Sequence, residues 1–83
     1  MKSIKIQYYA DGDIRIHELY MYGYSDISQY NILQFKCDNK RDTLLKVLDI
    51  YNLLLSDYDV SIYYIGCQKT IENIETEIDS LNR

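Results

Sequence analysis

The sequence predicts an α+β fold: an antiparallel β-sheet of about four strands with two helices on one face, in the order β-β-β-α-β-α. Three observations carry this. Residues 2–9 alternate apolar and polar side chains and run into Asp11-Gly12, a hairpin turn pair. Residues 40–56 carry apolar side chains at helical spacing, and residues 68–82 do so again. The chain of 83 residues is 47% hydrophobic and 27% charged, which is globular composition. It shows no repeat, linker or low-complexity tract, so 1–83 reads as a single compact domain.

In the first strand Ile4, Ile6 and Tyr8 share one face, and Lys5, Gln7 and Tyr9 the other. Gly12 supplies positive φ at low cost and sets the register of the second strand, which opens with Ile14 and Ile16. The phase then becomes ambiguous. Leu19 and Met21 can join Ile14 and Ile16 in the core only through a bulge near His17-Glu18. Without the bulge, Tyr20 and Tyr22 turn inward instead.

Gly23-Tyr24-Ser25-Asp26 reads as a loop reaching toward Gln29, and residues 30–37 as a third strand. There Leu33, Phe35 and Cys37 alternate with Tyr30, Ile32, Gln34 and Lys36. Asp38-Asn39 offers N-cap chemistry for a helix over 40–56, whose stripe is Leu44, Leu45, Leu48, Tyr51, Leu54 and Leu55. Val60, Ile62 and Tyr64 mark a fourth strand that Gly66 ends. Ile71, Ile74, Ile78 and Leu81 place a second helix over 68–82, with Glu72, Glu75 and Asp79 in a row beside that stripe.

Composition narrows the function. No stretch approaches the ~20 apolar residues of a membrane helix, and Met1-Lys2-Ser3 is followed by no apolar leader. A cytoplasmic protein of a bacterial host is expected. Cys37, Cys67 and the single His17 do not make a four-ligand zinc site, and the thiols read as small buried or half-buried hydrophobes. Asp57-Tyr58-Asp59 offers a hard metal only a lone pair of loop carboxylates, and Asp11-Gly12-Asp13 lacks the rest of any calcium loop. No metal and no cofactor is expected. Nine basic residues against thirteen acidic ones give a net charge of −4, which argues against direct binding of nucleic acid. No serine or cysteine stands in a nucleophile motif, and His17 and Glu18 are strand neighbours that face opposite ways, so no catalytic residue and no enzyme is expected.

What remains points to protein–protein binding. The chain has ten tyrosines, one Phe and no Trp. An antiparallel sheet covered on one face leaves the other open to water. That open face is expected to carry Tyr9, Tyr20, Tyr22, Tyr30, Ile32 and Tyr63 according to register, as anchors for a partner. Asp11 and Asp13 at the hairpin tip and Glu72, Glu75 and Asp79 on the last helix would steer the chain to a basic surface. The expected partner is a larger protein with such a surface, a nucleic-acid-handling enzyme.

Ala10 is the sole alanine and there is no proline, while Ile, Tyr, Asn, Lys and Asp abound. A/T-rich codons produce that bias, as in AT-rich bacterial, phage or plasmid genomes. In size, acidity and composition the chain is similar to anti-CRISPR proteins, the phage and mobile-element inhibitors of host defence. That resemblance, which covers no shared motif, implies a non-enzymatic inhibitor that occupies a functional surface of its target. The alternative is a homodimer or other assembly module, or a small-ligand protein whose pocket forms at an oligomer interface.

Overall fold

The computed structural model describes residues 2–22 and 26–83, with side chains outside 21–29. The elements are β1 (Lys2–Tyr8), β2 (Asp13–Tyr22), β3 (Asp26–Lys36), α1 (Lys40–Leu54), β4 (Tyr58–Tyr64), β5 (Cys67–Lys69) and α2 (Ile71–Leu81). The class is α+β, but the sheet has five strands in the order β3-β2-β1-β4-β5. It is mixed: β1 and β4 run parallel, and the other three pairs are antiparallel. Two expectations are therefore corrected, the strand number and the all-antiparallel pairing. Side-chain alternation reports which face a residue takes and carries no information on strand direction. The crossover through α1 returns the chain to run alongside β1, which a hairpin connection could not do.

The missed strand is β5. Three residues are too few for a period-two signal, and Gly66 is a turn within a hairpin where a strand end was expected. Tyr64 pairs with Cys67, so Ile65-Gly66 is a two-residue loop. Both take positive φ, 47° and 80°, the pattern of a type I′ turn. Glycine suits it; a β-branched isoleucine does not.

The core forms in rows across the sheet. Ile16, Ile6 and Ile62 lie side by side on β2, β1 and β4, and Ile14, Tyr8 and Tyr64 form the next row. The helices cover these rows. α1 buries Thr43, Leu44, Val47 and Ile50, and α2 buries Ile74 and Ile78. The expected α1 stripe is thus rotated: Leu45, Leu48, Tyr51 and Leu54 are partly buried flanks, and Leu55 is exposed. The helices run antiparallel to each other, because Lys40 at the start of α1 pairs with Glu77 late in α2 at 3.2 Å, and Arg41 donates to Asn82.

The ends are capped as the residue types suggest. Asn39 accepts from the Asp42 amide at 2.8 Å. Thr70 and Asn73 form a reciprocal capping box that starts α2 at Ile71, since 67–69 belong to β5. In the first hairpin the Gly12 amide donates to the Tyr9 carbonyl at φ 93°. The Gly12 carbonyl in turn accepts from the Cys37 amide at 2.8 Å, binding the turn to the end of β3.

β3 starts at Asp26, four residues earlier than expected; Gly23, Tyr24 and Ser25 of the expected loop lie outside the described residues. β2 pairs with β1 without interruption from Ile14 to Leu19, so of the two phases open to β2 the one without a bulge near His17-Glu18 holds. The register shift lies across the strand, where Ile16 pairs with Leu33 and His17 with Asn31. Ile32 is the extra residue. The Asn31 side chain, with its amide nitrogen turned to donate, meets the Ile16 and Leu33 carbonyls at 3.1 and 2.9 Å and closes the distorted ladder.

Candidate functional site

The unbroken alternation of β2 sets the face of Tyr20, and the bulge in β3 sets the face of Tyr30. Directly opposed residues share a face. Tyr30 therefore sits with Glu18 on the helix side of the sheet, and its ring meets Tyr20 edge-on at 5.6 Å. The expected tyrosine stripe on the open face is divided. Tyr9 and Tyr63 lie on that face; Tyr20 and Tyr30 do not, and the Tyr22 side chain lies outside the described residues.

The open face is a polar network. Lys5 lies over the Tyr63 ring at 4.6 Å and Arg15 over the Tyr9 ring at 5.5 Å. The Tyr9 hydroxyl donates to Gln7 Oε1, and His17 Nε2 is 3.2 Å from the same oxygen. Burial, with Lys5 and Arg15 adding to it, holds His17 below its ordinary pKa. Sequence reasoning did not foresee these cations above the rings, because cross-strand neighbours depend on register.

The hairpin carboxylates are engaged within the fold. Asp13 is buried, accepting from Gln34 and Arg15 at 2.9 Å each, and the Gln34 bond leads in holding its pKa below the usual range. Asp11 pairs with Lys36 at 3.0 Å and accepts from the Asp13 amide; Lys36 is the first cause of its lowered pKa. Glu72, Glu75 and Asp79 are different. All three are exposed, at i, i+3 and i+7 on one side of α2, and none joins an ion pair among the described residues.

The surface that sequence reasoning missed lies between β3 and α1. Its walls are Ile16, Ile32, Leu33 and Phe35 from the sheet and Ile50, Leu53 and Leu54 from the helix, with Lys46 and Asp49 at the rim. They enclose about 220 Å³. Leu53 is 75% exposed, Ile32 51% and Leu33 50%, and Tyr30, 55% exposed, lies next along β3. Two things create the groove. β3 is an edge strand, and the bulge sets Ile32 beside Leu33 on the groove wall. Alternation alone put Ile32 on the other face, so no periodic signal could have found it.

Among the described residues no group of three or more His, Cys, Asp or Glu side chains is placed to hold a metal. Cys37 is half-buried as expected, but Cys67 is exposed, because it opens the short edge strand β5 just after a turn. No helix among the described residues is long and apolar enough to cross a membrane. The chain matches no family model, no curated protein and no solved structure.

Proposed function

We propose that this chain is a small non-enzymatic binding protein that occupies a functional surface of a larger protein, using the groove between β3 and α1 as its anchor. The observation that carries the reading is the joint exposure of Ile32, Leu33 and Leu53, each half or more open to water, around one apolar groove, with exposed Tyr30 two residues from Ile32 on the same strand. Scattered exposed apolar residues are ordinary; a cluster around a groove marks an interaction site. The partner that fits presents an apolar side chain for the groove and basic residues around it. A net charge of −4 and the unpaired row Glu72, Glu75 and Asp79 favour such a partner and speed its encounter. A nucleic-acid-handling enzyme in a bacterial cytoplasm carries basic surface of this kind, and occupying it would exclude the nucleic acid. The likeness in size and composition to anti-CRISPR inhibitors accords with this.

A homo-oligomeric assembly module is the second reading, and it rests on the β3 edge. That strand is eleven residues long, and its outer side pairs with no strand among the described residues. Tagged capture from lysate of the source cell at low and high salt, beside the in-solution mass of the purified protein, separates the two. One dominant partner that is lost at high salt and lost on Leu53→Asp supports the first reading. A stable homo-oligomer that captures nothing at either salt overturns it.

A further inference from the structure

At the opposite end of α1 a second cavity, of about 180 Å³, opens between the helices and the C-terminal ends of β1 and β4. Its walls include Tyr8, Ala10, Lys40, Leu44, Tyr64 and Glu77. It is smaller than the ~300–1,000 Å³ of drug-sized sites, so it admits a head group and a short stem. Tyr8 and Tyr64 pack with ring centroids 4.8 Å apart and form an aromatic wall. Tyr8 is 3% exposed. Its hydroxyl makes no hydrogen bond to any described residue, yet no fully buried side-chain polar atom lacks a partner. The hydroxyl therefore opens into the cavity. A phenol oxygen at a cavity wall with no partner among the described residues, still reached by solvent, has room for a ligand atom.

The charges select the ligand. Burial, with the Glu77 carboxylate next in effect, pushes the Tyr8 phenol up to about 12, so it stays neutral, and its hydroxyl can donate one bond and accept another. Glu77 is the anion of the site. Lys40 reaches it at 3.2 Å at the mouth, where the Lys40 and Glu77 side chains are 58% and 41% exposed. An anionic ligand would meet the carboxylate, and an apolar one would leave the Tyr8 oxygen without a donor, whereas Glu77 keeps Lys40. A cationic head can donate to the Tyr8 oxygen, contend with Lys40 for Glu77, and lie against the aromatic wall.

We propose that this cavity binds a primary ammonium or guanidinium head, held by the Glu77 carboxylate and the Tyr8 hydroxyl against the Tyr8–Tyr64 rings, with its alkyl stem on Leu44 and Ala10. Lys40 is the internal competitor for Glu77. The head has two sources, a free small amine or a basic side chain of a docking protein. The site does not depend on the β3–α1 groove.

The test is an amide-resolved NMR titration of the whole chain with n-butylammonium, n-butylguanidinium and a doubly blocked lysine, against 1-butanol and butyrate. Saturable shifts at Ala10, Thr43, Leu44 and Glu77 are expected with the cations alone. Lys40→Gln should tighten binding about threefold by removing the competitor. Glu77→Gln should weaken it about tenfold or more, and Tyr8→Phe should weaken it less. The gain in Lys40→Gln cannot come from misfolding. Binding by the simple amines identifies a small-amine site; binding by blocked lysine alone identifies a partner's side chain. No saturable shift with any cation, equal shifts with 1-butanol, or binding unchanged by Glu77→Gln overturns the proposal.

Discussion

Ile32 on β3 and Leu53 on α1 line the same groove from opposite walls, and half or more of each side chain is open to water. Neither contributes to the buried core. Replacing either with Asp should therefore shift stability by no more than about 0.5 kcal/mol, the range of surface substitutions. Urea unfolding checks this. A loss of several kcal/mol would mean that the groove holds the fold together and is no docking surface.

Gly12 is the opposite case. Its φ is 93°, and an added Cβ would run into the Cys37 carbonyl. The backbone there is fixed by the bond from the Cys37 amide, so the neighbour has little room to give. Gly12→Ala should destabilise by about 2 kcal/mol or more, from left-handed strain plus the collision. A shift in urea midpoint below the equivalent of about 0.5 kcal/mol would contradict the turn geometry.

Ile65 carries the same strain with none of the crowding. It holds φ 47°, is 60% exposed, and stands beside Gly66, around which there is open space. Asparagine tolerates this conformation and is favoured in type I′ turns. Ile65→Asn should stabilise by about 1 kcal/mol, read as a rise in the urea midpoint.

His17 and the hairpin carboxylates set two separate pH windows. The folded pKa of His17 lies below its ordinary value, so the unfolded chain takes that proton first. Stability should fall as pH drops below about 6.5, and level off once the folded imidazole also protonates. Asp11 and Asp13 also have lowered folded pKa values, so their contribution is complete above about pH 4–5 and is lost as pH falls through those values. His17→Gln should abolish the first window and leave the second. The urea midpoint between pH 8 and pH 3 reads both.

Much of this fold is legible in the residues. Ile4, Ile6 and Tyr8, the Asp11-Gly12 turn, and the Ile74–Ile78 stripe each obey one local period, and local periods survive folding. What escaped is non-local. The direction of β4 depends on a crossover, and β5 is too short to carry a period. The extra residue Ile32 is visible only in the pairing of two strands. That offset moved Tyr30 to the helix side, where the unbulged β2 also puts Tyr20, and together they divide the expected tyrosine surface. Of the expected carboxylates, Asp13 is taken up on the open face because Gln34 and Arg15 come to it across and along the sheet, while Glu72, Glu75 and Asp79 stayed exposed on α2 as their spacing implied.

The most direct test of the docking account compares capture by three forms of the chain: wild type, Leu53→Asp in the groove, and Tyr63→Ala on the open face. Wild type and Tyr63→Ala should retain one partner that Leu53→Asp loses, with all three folded by circular dichroism. Loss with Tyr63→Ala and retention with Leu53→Asp would contradict the docking account and return the binding surface to the open face of the sheet.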